Sequence, residues 1–372
     1  MLKQAAAALL AAMMVTATQT TPLDVPEISA KSAVVIEAET RRVLYETNAY
    51  ERMPMASTTK IMSALLALEH PALDKEFEVD AEAIHVEGSS MGLREGDTVT
   101  MYALACGMLL ASGNDAANAV AVAMCGSISG FVLRMNERAA QLGLKDTHFA
   151  NPSGLDAEGH YSTAYDLACL AAFALENERF SSICSQSSMR VRFGNPPYER
   201  WLTNHNRLLK TYEDCIGVKT GFTSKARRCL VSAAERDGVR LICVTLNDPD
   251  DWRDHAALFD YGFDKYKSVK LDTDLAGAEV PVAGGDTTRL AVTTDQQATA
   301  VMSENELKNL ERRILAPPIL FAPIKKGQQV GSIEYISDGV TLKTLPLLAA
   351  QDIAYQEKPT LLRRFTRLFG SS

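Results

Sequence analysis

Near Tyr266 the hydrophobic pattern changes period, and no other feature constrains the fold of this chain as much. Before that point the spacing is largely helical. Ile61, Met62, Leu65, Leu66 and Leu68 give an apolar face to residues 57–70, and further helical runs are expected near 101–124, 128–142 and 164–176. After it Val269, Leu271, Val280, Val282, Leu290 and Val292 alternate with polar residues, and cysteine disappears. Two periods imply two cores, and 372 residues are enough to bury both. Residues 29–264 are therefore read as a mixed α/β (α+β) domain, and residues 265–355 as a small all-β domain.

Local signals refine each part. Strands are expected at 33–36 and 42–45, joined by a hairpin connection, and strand signals return after Tyr212. Residues 229–235 and 239–246 flank Arg236-Asp237-Gly238, a turn with Gly where positive φ is needed. A helix around 250–264 closes the first domain. In the second, Asp338-Gly339 lies between the apolar runs 330–336 and 340–347, again a hairpin signal.

The two ends read differently from the body. Met1-Leu2-Lys3 precedes an apolar stretch from Ala5 to Val15, too short for an ordinary span and suited to a signal peptide. Val15-Thr16-Ala17 offers a small residue for cleavage, with Thr18 and Thr20 nearby, and the Thr- and Pro-containing stretch that follows suits a linker. Residues 1–28 are accordingly read as signal peptide and linker, and the protein as exported; the alternative is a buried or frayed terminal helix. At the other end Leu361, Leu362, Phe365, Leu368 and Phe369 share one helical face, while Arg363, Arg364 and Arg367 occupy the other. Residues 356–372 thus read as a basic amphipathic helix that meets an anionic membrane through 360–372. The alternative is a helix packed on the β-domain.

Charge and cysteines narrow the function classes. A net charge of −8 argues against nucleic acid as the main partner. The seven cysteines form no CxxC and no zinc-like spacing with histidine, and Cys106, Cys169, Cys229 and Cys243 sit in apolar runs. They read as free thiols that pack as small hydrophobes. No H-E-x-x-H occurs, so neither a metal nor any other cofactor is called for.

Three short motifs carry the chemistry. Ser57-Thr58-Thr59-Lys60 heads a helix, so the hydroxyl and the amine lie one turn apart on one face. A serine hydroxyl is a weak nucleophile until a base takes its proton, and a lysine is a base only where burial or nearby positive charge favours its neutral form. Ser112-Gly113-Asn114 interrupts an apolar pattern; it reads either as a loop turned into a cleft or as a helix cap. Lys219-Thr220-Gly221 precedes the strand-rich hairpin, where a strand edge can pair with an extended peptide and Gly permits close backbone approach.

S-x-x-K, S-x-N and K-T-G in this order, 55 and then 107 residues apart, resemble the penicillin-binding-protein and serine β-lactamase superfamily. Within it the low-molecular-mass D-alanyl-D-alanine carboxypeptidases are the nearer likeness. Ser89-Ser90-Met91-Gly92-Leu93, Asn151-Pro152-Ser153-Gly154-Leu155, the stretch from His160 to Leu167, and Thr203-Asn204-His205-Asn206-Arg207-Leu208 carry it. The resemblance implies a β-lactamase/penicillin-binding-protein-like domain, an antiparallel sheet with helices plus a helical subdomain, followed by the all-β domain. It implies removal of the terminal D-Ala from peptidoglycan stem peptides at the outer face of the cytoplasmic membrane. β-Lactam antibiotics would be covalent inhibitors.

Carried over by motif, Ser57 would be the acylated nucleophile, Lys60 its proton acceptor and Ser112 the relay to the departing D-alanine. Asn114 would hold the substrate amide, Lys219 and Thr220 the terminal carboxylate. Gly221 would let the substrate approach, and the backbone N–H groups of Ser57 and Phe222 would form an oxyanion hole. Arg253 falls, with a one-residue gap, where the family has a carboxylate-steering arginine; an exposed arginine at a helix start is the alternative. His160 is rejected as a triad base, because Lys60 already supplies one. Two other readings are a β-lactamase, for which no E-x-x-L-N pattern appears between the second and third motifs, and a catalytically idle scaffold, which intact motif residues oppose.

Overall fold

The computed structural model describes residues 25–294 and 297–356. The expected signal peptide (except for 25–28) and C-terminal helix lie outside the described residues.

The frame of the first part is a five-stranded antiparallel sheet. Its strands are β1 (Ser32–Glu37), β2 (Val43–Thr47), β3 (Cys215–Thr223), β4 (Arg227–Arg236) and β5 (Val239–Leu246), in the order β2-β1-β5-β4-β3. All of β1 is buried, because both faces of the sheet are covered. On one face Val34, Ile36, Val231 and Val244 join the larger core with helices α1 (Lys60–Leu68), α2 (Met101–Leu109), α3 (Asn114–Cys125), α4 (Ile128–Gln141) and α5 (Ala164–Glu176). On the other, Val35, Leu230, Leu241 and Cys243 pack against Leu258, Phe259 and Phe263 of α6 (Asp251–Lys265). Apolar residues on both sides of a strand are what a sandwiched sheet demands.

β4 and β5 turn at Asp237 and Gly238, with φ of 50° and 76°, as a two-residue hairpin with both central residues left-handed requires. The interruption expected at Ser112-Gly113-Asn114 divides 101–124 into two helices, with Ser112 at φ of 58°. One expectation needs correction. Residues 188–194 and 197–203 form an antiparallel hairpin that lies before the expected return of strand structure. Its alternation of Met189, Val191 and Phe193 with Arg190 and Arg192 was a usable period-two signal.

Beyond Tyr266 a six-stranded sheet and a two-stranded one enclose a separate cluster that includes Val280, Leu290, Ile333, Tyr335, Leu345 and Leu347. Its long hairpin turns at Asp338 and Gly339, with φ of 50° and 80°.

Candidate functional site

Ser57 lies in a single 3-10 turn, Ala56–Thr59, that feeds directly into α1. With three residues per turn, positions i and i+3 eclipse, so Lys60 stands directly over Ser57. Lys60 Nζ is 3.0 Å from Ser57 Oγ, 2.6 Å from Asn114 Oδ1 and 2.5 Å from the Ser153 carbonyl oxygen. These three contacts match the three donors of an ammonium, yet burial and then the charge of Lys219 hold the Lys60 pKa well below the usual lysine range. Lys60 is fully buried, so it gives up the hydration that would keep its proton.

The turn is held under backbone strain. Ala56, just ahead of the nucleophile, has φ of 48°, a left-handed value costly for alanine. Gly154 makes this geometry possible, because a Cβ there would lie 2.0 Å from the Ala56 carbonyl oxygen. Thr59 Oγ1 donates to that same oxygen at 2.8 Å and lies 2.8 Å from His160 Nε2. His160 Nδ1 accepts from the Ala150 N–H, so the neutral ring carries its proton on Nε2 and donates it to Thr59. Burial pushes the His160 pKa down to about 4. The histidine braces the turn and faces no reacting atom.

Ser112 is buried at the wall of the cleft, on strained backbone, and Gly113 caps α3 without a side chain. The tripeptide combines the two readings: Ser112 is turned into the cleft, and the N-cap of α3 is Gly113 rather than Ser or Asn. Asn114 opens α3 with both ends of its amide engaged. Oδ1 accepts from Lys60, and Nδ2 donates to the Glu87 carbonyl oxygen at 2.7 Å.

The third motif lies on β3, an edge strand paired only with β4. A Cβ on Gly221 would approach the Ser57 nitrogen to 3.0 Å and Ala56 Cβ to 3.1 Å, so the strand lies against the nucleophile turn. Lys219 is fully buried and donates to the Thr220 carbonyl oxygen at 2.8 Å; burial lowers its pKa to about 7. Phe222 stands exposed at the mouth.

Ser57, Ser112, Thr220, Gly221 and Phe222 line one cleft of about 290 Å³, together with Ser89, His205, Arg228, Asp251 and Trp252. Arg253 is not among its walls. Its side chain is 64% exposed and is drawn to Asp250 at 3.2 Å and Asp254 at 3.1 Å. Asp250 just before α6 and Asp254 within it thus hold the guanidinium at the helix start, outside the cleft walls. Two groups escaped the sequence reading. One is the Ser153 carbonyl, which is invisible as a side-chain motif. The other is Asp115, whose carboxylate accepts from Ser90 Oγ and from the N–H groups of Met91, Gly92, Leu93 and Ala116. Its position directly after Ser112-Gly113-Asn114 was the available signal. Among the described residues no group of three or more His, Cys, Asp or Glu is placed to hold a metal ion.

A family model described as D-alanyl-D-alanine carboxypeptidase matches residues 16–250, and one described as penicillin-binding protein 5, C-terminal domain, matches residues 263–355. The chain belongs to the D-alanyl-D-alanine carboxypeptidase family. It is 35% identical over 347 residues to D-alanyl-D-alanine carboxypeptidase DacF of Bacillus subtilis, covering 90% of this chain and 88% of the relative. To D-alanyl-D-alanine carboxypeptidase DacA of Escherichia coli (strain K12) it is 32% identical over 345 residues, covering 88% and 85%. Penicillin binding protein 5 from Haemophilus influenzae superposes with a TM-score of 0.74 at 27% identity, covering 90% of this chain and all of that one. This family carries the fold expected from the motifs, a penicillin-binding-protein-like domain followed by an all-β one.

Proposed function

We propose that this chain is a serine D-alanyl-D-alanine carboxypeptidase that removes the terminal D-Ala of peptidoglycan stem pentapeptides through a Ser57 acyl-enzyme, with β-lactams as covalent inhibitors. One observation carries the reading: a buried lysine, disfavoured as an ammonium, 3.0 Å from a serine hydroxyl beside a free strand edge.

In the first step neutral Lys60 takes the Ser57 proton as Oγ attacks the carbonyl carbon of the penultimate D-Ala. The N–H groups of Ser57 and Phe222 receive the developing oxyanion. Ser112 passes a proton to the departing D-Ala amine, and water then cleaves the ester. Asn114 holds the substrate amide with its second amide hydrogen and keeps Lys60 aimed at Ser57. Lys219 supplies positive potential beneath Thr220, Thr220 binds the terminal carboxylate, and Gly221 admits the substrate to the strand edge.

The catalytic unit spans 29–264, and 265–355 forms a β-rich support. The substrate belongs to the cell envelope. Export by residues 1–28 and attachment of 360–372 to the outer face of the cytoplasmic membrane would bring the enzyme to it. Deleting 360–372 is expected to release the protein from membranes, and unchanged partition would refute that attachment.

The deciding assay incubates purified protein with a diacyl-L-Lys-D-Ala-D-Ala peptide and with a penicillin. Released D-alanine and a long-lived penicilloyl adduct are expected, and Ser57→Ala abolishes both. Rapid penicillin turnover, or inertness toward both, overturns the reading.

A further inference from the structure

Among the described residues, four large apolar side chains open to solvent fall close together in the β-domain: Ile314, Leu315, Ile319 and Phe321, the last 74% exposed. They lie where the chain crosses from one edge of the six-stranded sheet, Glu311–Leu315, to the other, Leu320–Phe321. Leu310, Ala316, Leu320 and Ala322 of the same stretch pack against the β-domain core, whereas these four stay outside it. Exposed cations bracket the crossing. Arg312 is tied to Asp272 at 3.0 Å and Arg313 to Glu311 at 2.8 Å, and Lys325 and Lys326 follow. Glu311 is the one acid from 311 to 329, so four cations less one carboxylate give this stretch +3 in a chain of net charge −8.

A free sheet edge invites pairing with a second copy, but this one is blunted. Adjacent arginines on an edge repel those of a symmetric partner, and Pro317 and Pro318 stop the strand. The prolines suit a bilayer surface instead. Pro317, Pro318 and Pro323 have no N–H, so the crossing carries three fewer donors that lipid would leave without a partner. Where the described chain ends points the same way. Ile324 and Ile353 exchange both backbone hydrogen bonds at 2.9 Å, and Asp352 accepts from the Lys326 N–H at 2.8 Å. Phe321 pairs with Ala283, and the exposed Tyr355 ring lies against the adjoining Gly284. The chain thus leaves the described residues at Gln356 beside this patch, and the basic amphipathic sequence of 357–372 follows.

We propose that the 314–321 crossing, with Lys325 and Lys326, is a second contact with the anionic membrane surface. The apolar side chains enter the interface, and the lysines meet the lipid headgroups. This rests on the attachment of 360–372 proposed above and adds an orientation to it. A tail alone leaves the β-domain free to swivel, whereas a second contact beside the tail's root fixes which side faces the bilayer. Four side chains are too few to hold the protein without the tail, and stable attachment takes two signals.

The test uses the full chain and vesicles of phosphatidylglycerol and phosphatidylcholine with brominated acyl chains. The emission that Phe321→Trp adds to that of Trp201 and Trp252 is expected to be quenched. Tyr198→Trp, exposed on the 197–203 strand of the catalytic domain, is expected to add emission that is not. Ile319→Ser/Phe321→Ser is expected to weaken vesicle partition about tenfold, as withdrawal of two partly inserted apolar side chains requires. Lys325→Glu/Lys326→Glu is expected to weaken it about 30-fold at low salt. Melting stays unchanged in both double variants. Unquenched added emission from Phe321→Trp on a chain that still partitions, or wild-type partition of the serine variant, overturns this contact and leaves the tail attachment standing. A wild-type chain that stays free of vesicles overturns both. A wild-type chain that dimerises without lipid, together with a serine variant that sediments as a monomer, gives the patch to a second copy and likewise overturns the proposal.

Discussion

Replacing Asp115 with asparagine tests how far the catalytic lysine depends on a carboxylate that never touches it. Asp115 Oδ2 accepts from Ser90 Oγ at 2.5 Å, Gly92 N at 3.1 Å and Leu93 N at 3.0 Å, and Oδ1 accepts from Met91 N and Ala116 N, both at 2.9 Å. Asparagine has a single acceptor oxygen, so whichever way it turns, at least two of these donors meet an NH₂ group. At about 1.5 kcal/mol or more for each bond lost to a charged acceptor, the change costs about 3 kcal/mol. In a unit of roughly 150–250 residues that lowers Tm by about 6–12 °C. The loop it anchors also holds Asn114, through the Glu87 carbonyl at 2.7 Å and the Ser89 carbonyl, which accepts from Asn114 N at 2.7 Å. Once that loop loosens, Asn114 no longer aims Lys60. Acylation by a fluorescent penicillin, followed by gel, is expected to slow about tenfold or more, equivalent to about 1.4 kcal/mol of barrier. A variant with wild-type melting and wild-type acylation would refute the chain of support from Asp115 to Lys60.

Other perturbations probe the same turn and its charge. Gly154→Ala places a methyl 2.0 Å from the Ala56 carbonyl at φ of +90°; strain and overpacking together are expected to cost about 2–5 kcal/mol in urea unfolding, and acylation falls with it. The pH profile of kcat/KM should rise on its acid side as Lys60 loses its proton and becomes a base. It should fall above about 7, where Lys219 gives up the positive charge that faces the substrate carboxylate. Lys219→Arg keeps that charge, so its falling limb should vanish; an unchanged limb would assign it to another group.

Much of the chain was legible because its chemistry is concentrated in short stretches. Ser57 and Lys60 needed only their spacing to be paired, and the structure sets them 3.0 Å apart. The Asp237-Gly238 and Asp338-Gly339 turns were readable because few other residue pairs tolerate two positive φ values in succession. The rest depended on partners distant in sequence. Lys60 meets a carbonyl at Ser153, and the turn of Ser57 is made possible by a glycine at 154. Local pattern contains neither contact. Arg253 also depends on neighbours: Asp250 and Asp254 hold its side chain at the surface, outside the cleft walls. Arg228 carried no motif, and only the pairing of β4 with β3 brings it to the cleft.

All seven thiols are unpaired, and five of them are buried, including Cys184, Cys229 and Cys243, whose pKa values burial drives upward. Thiolate is the species that alkylating reagents attack. Folding of this chain therefore requires no disulfide to form, and production in a reducing host should yield the same architecture. The interior sulfurs also serve as a built-in gauge of integrity: they stay silent to iodoacetamide while the sheet and its helices are closed, and report each molecule that opens.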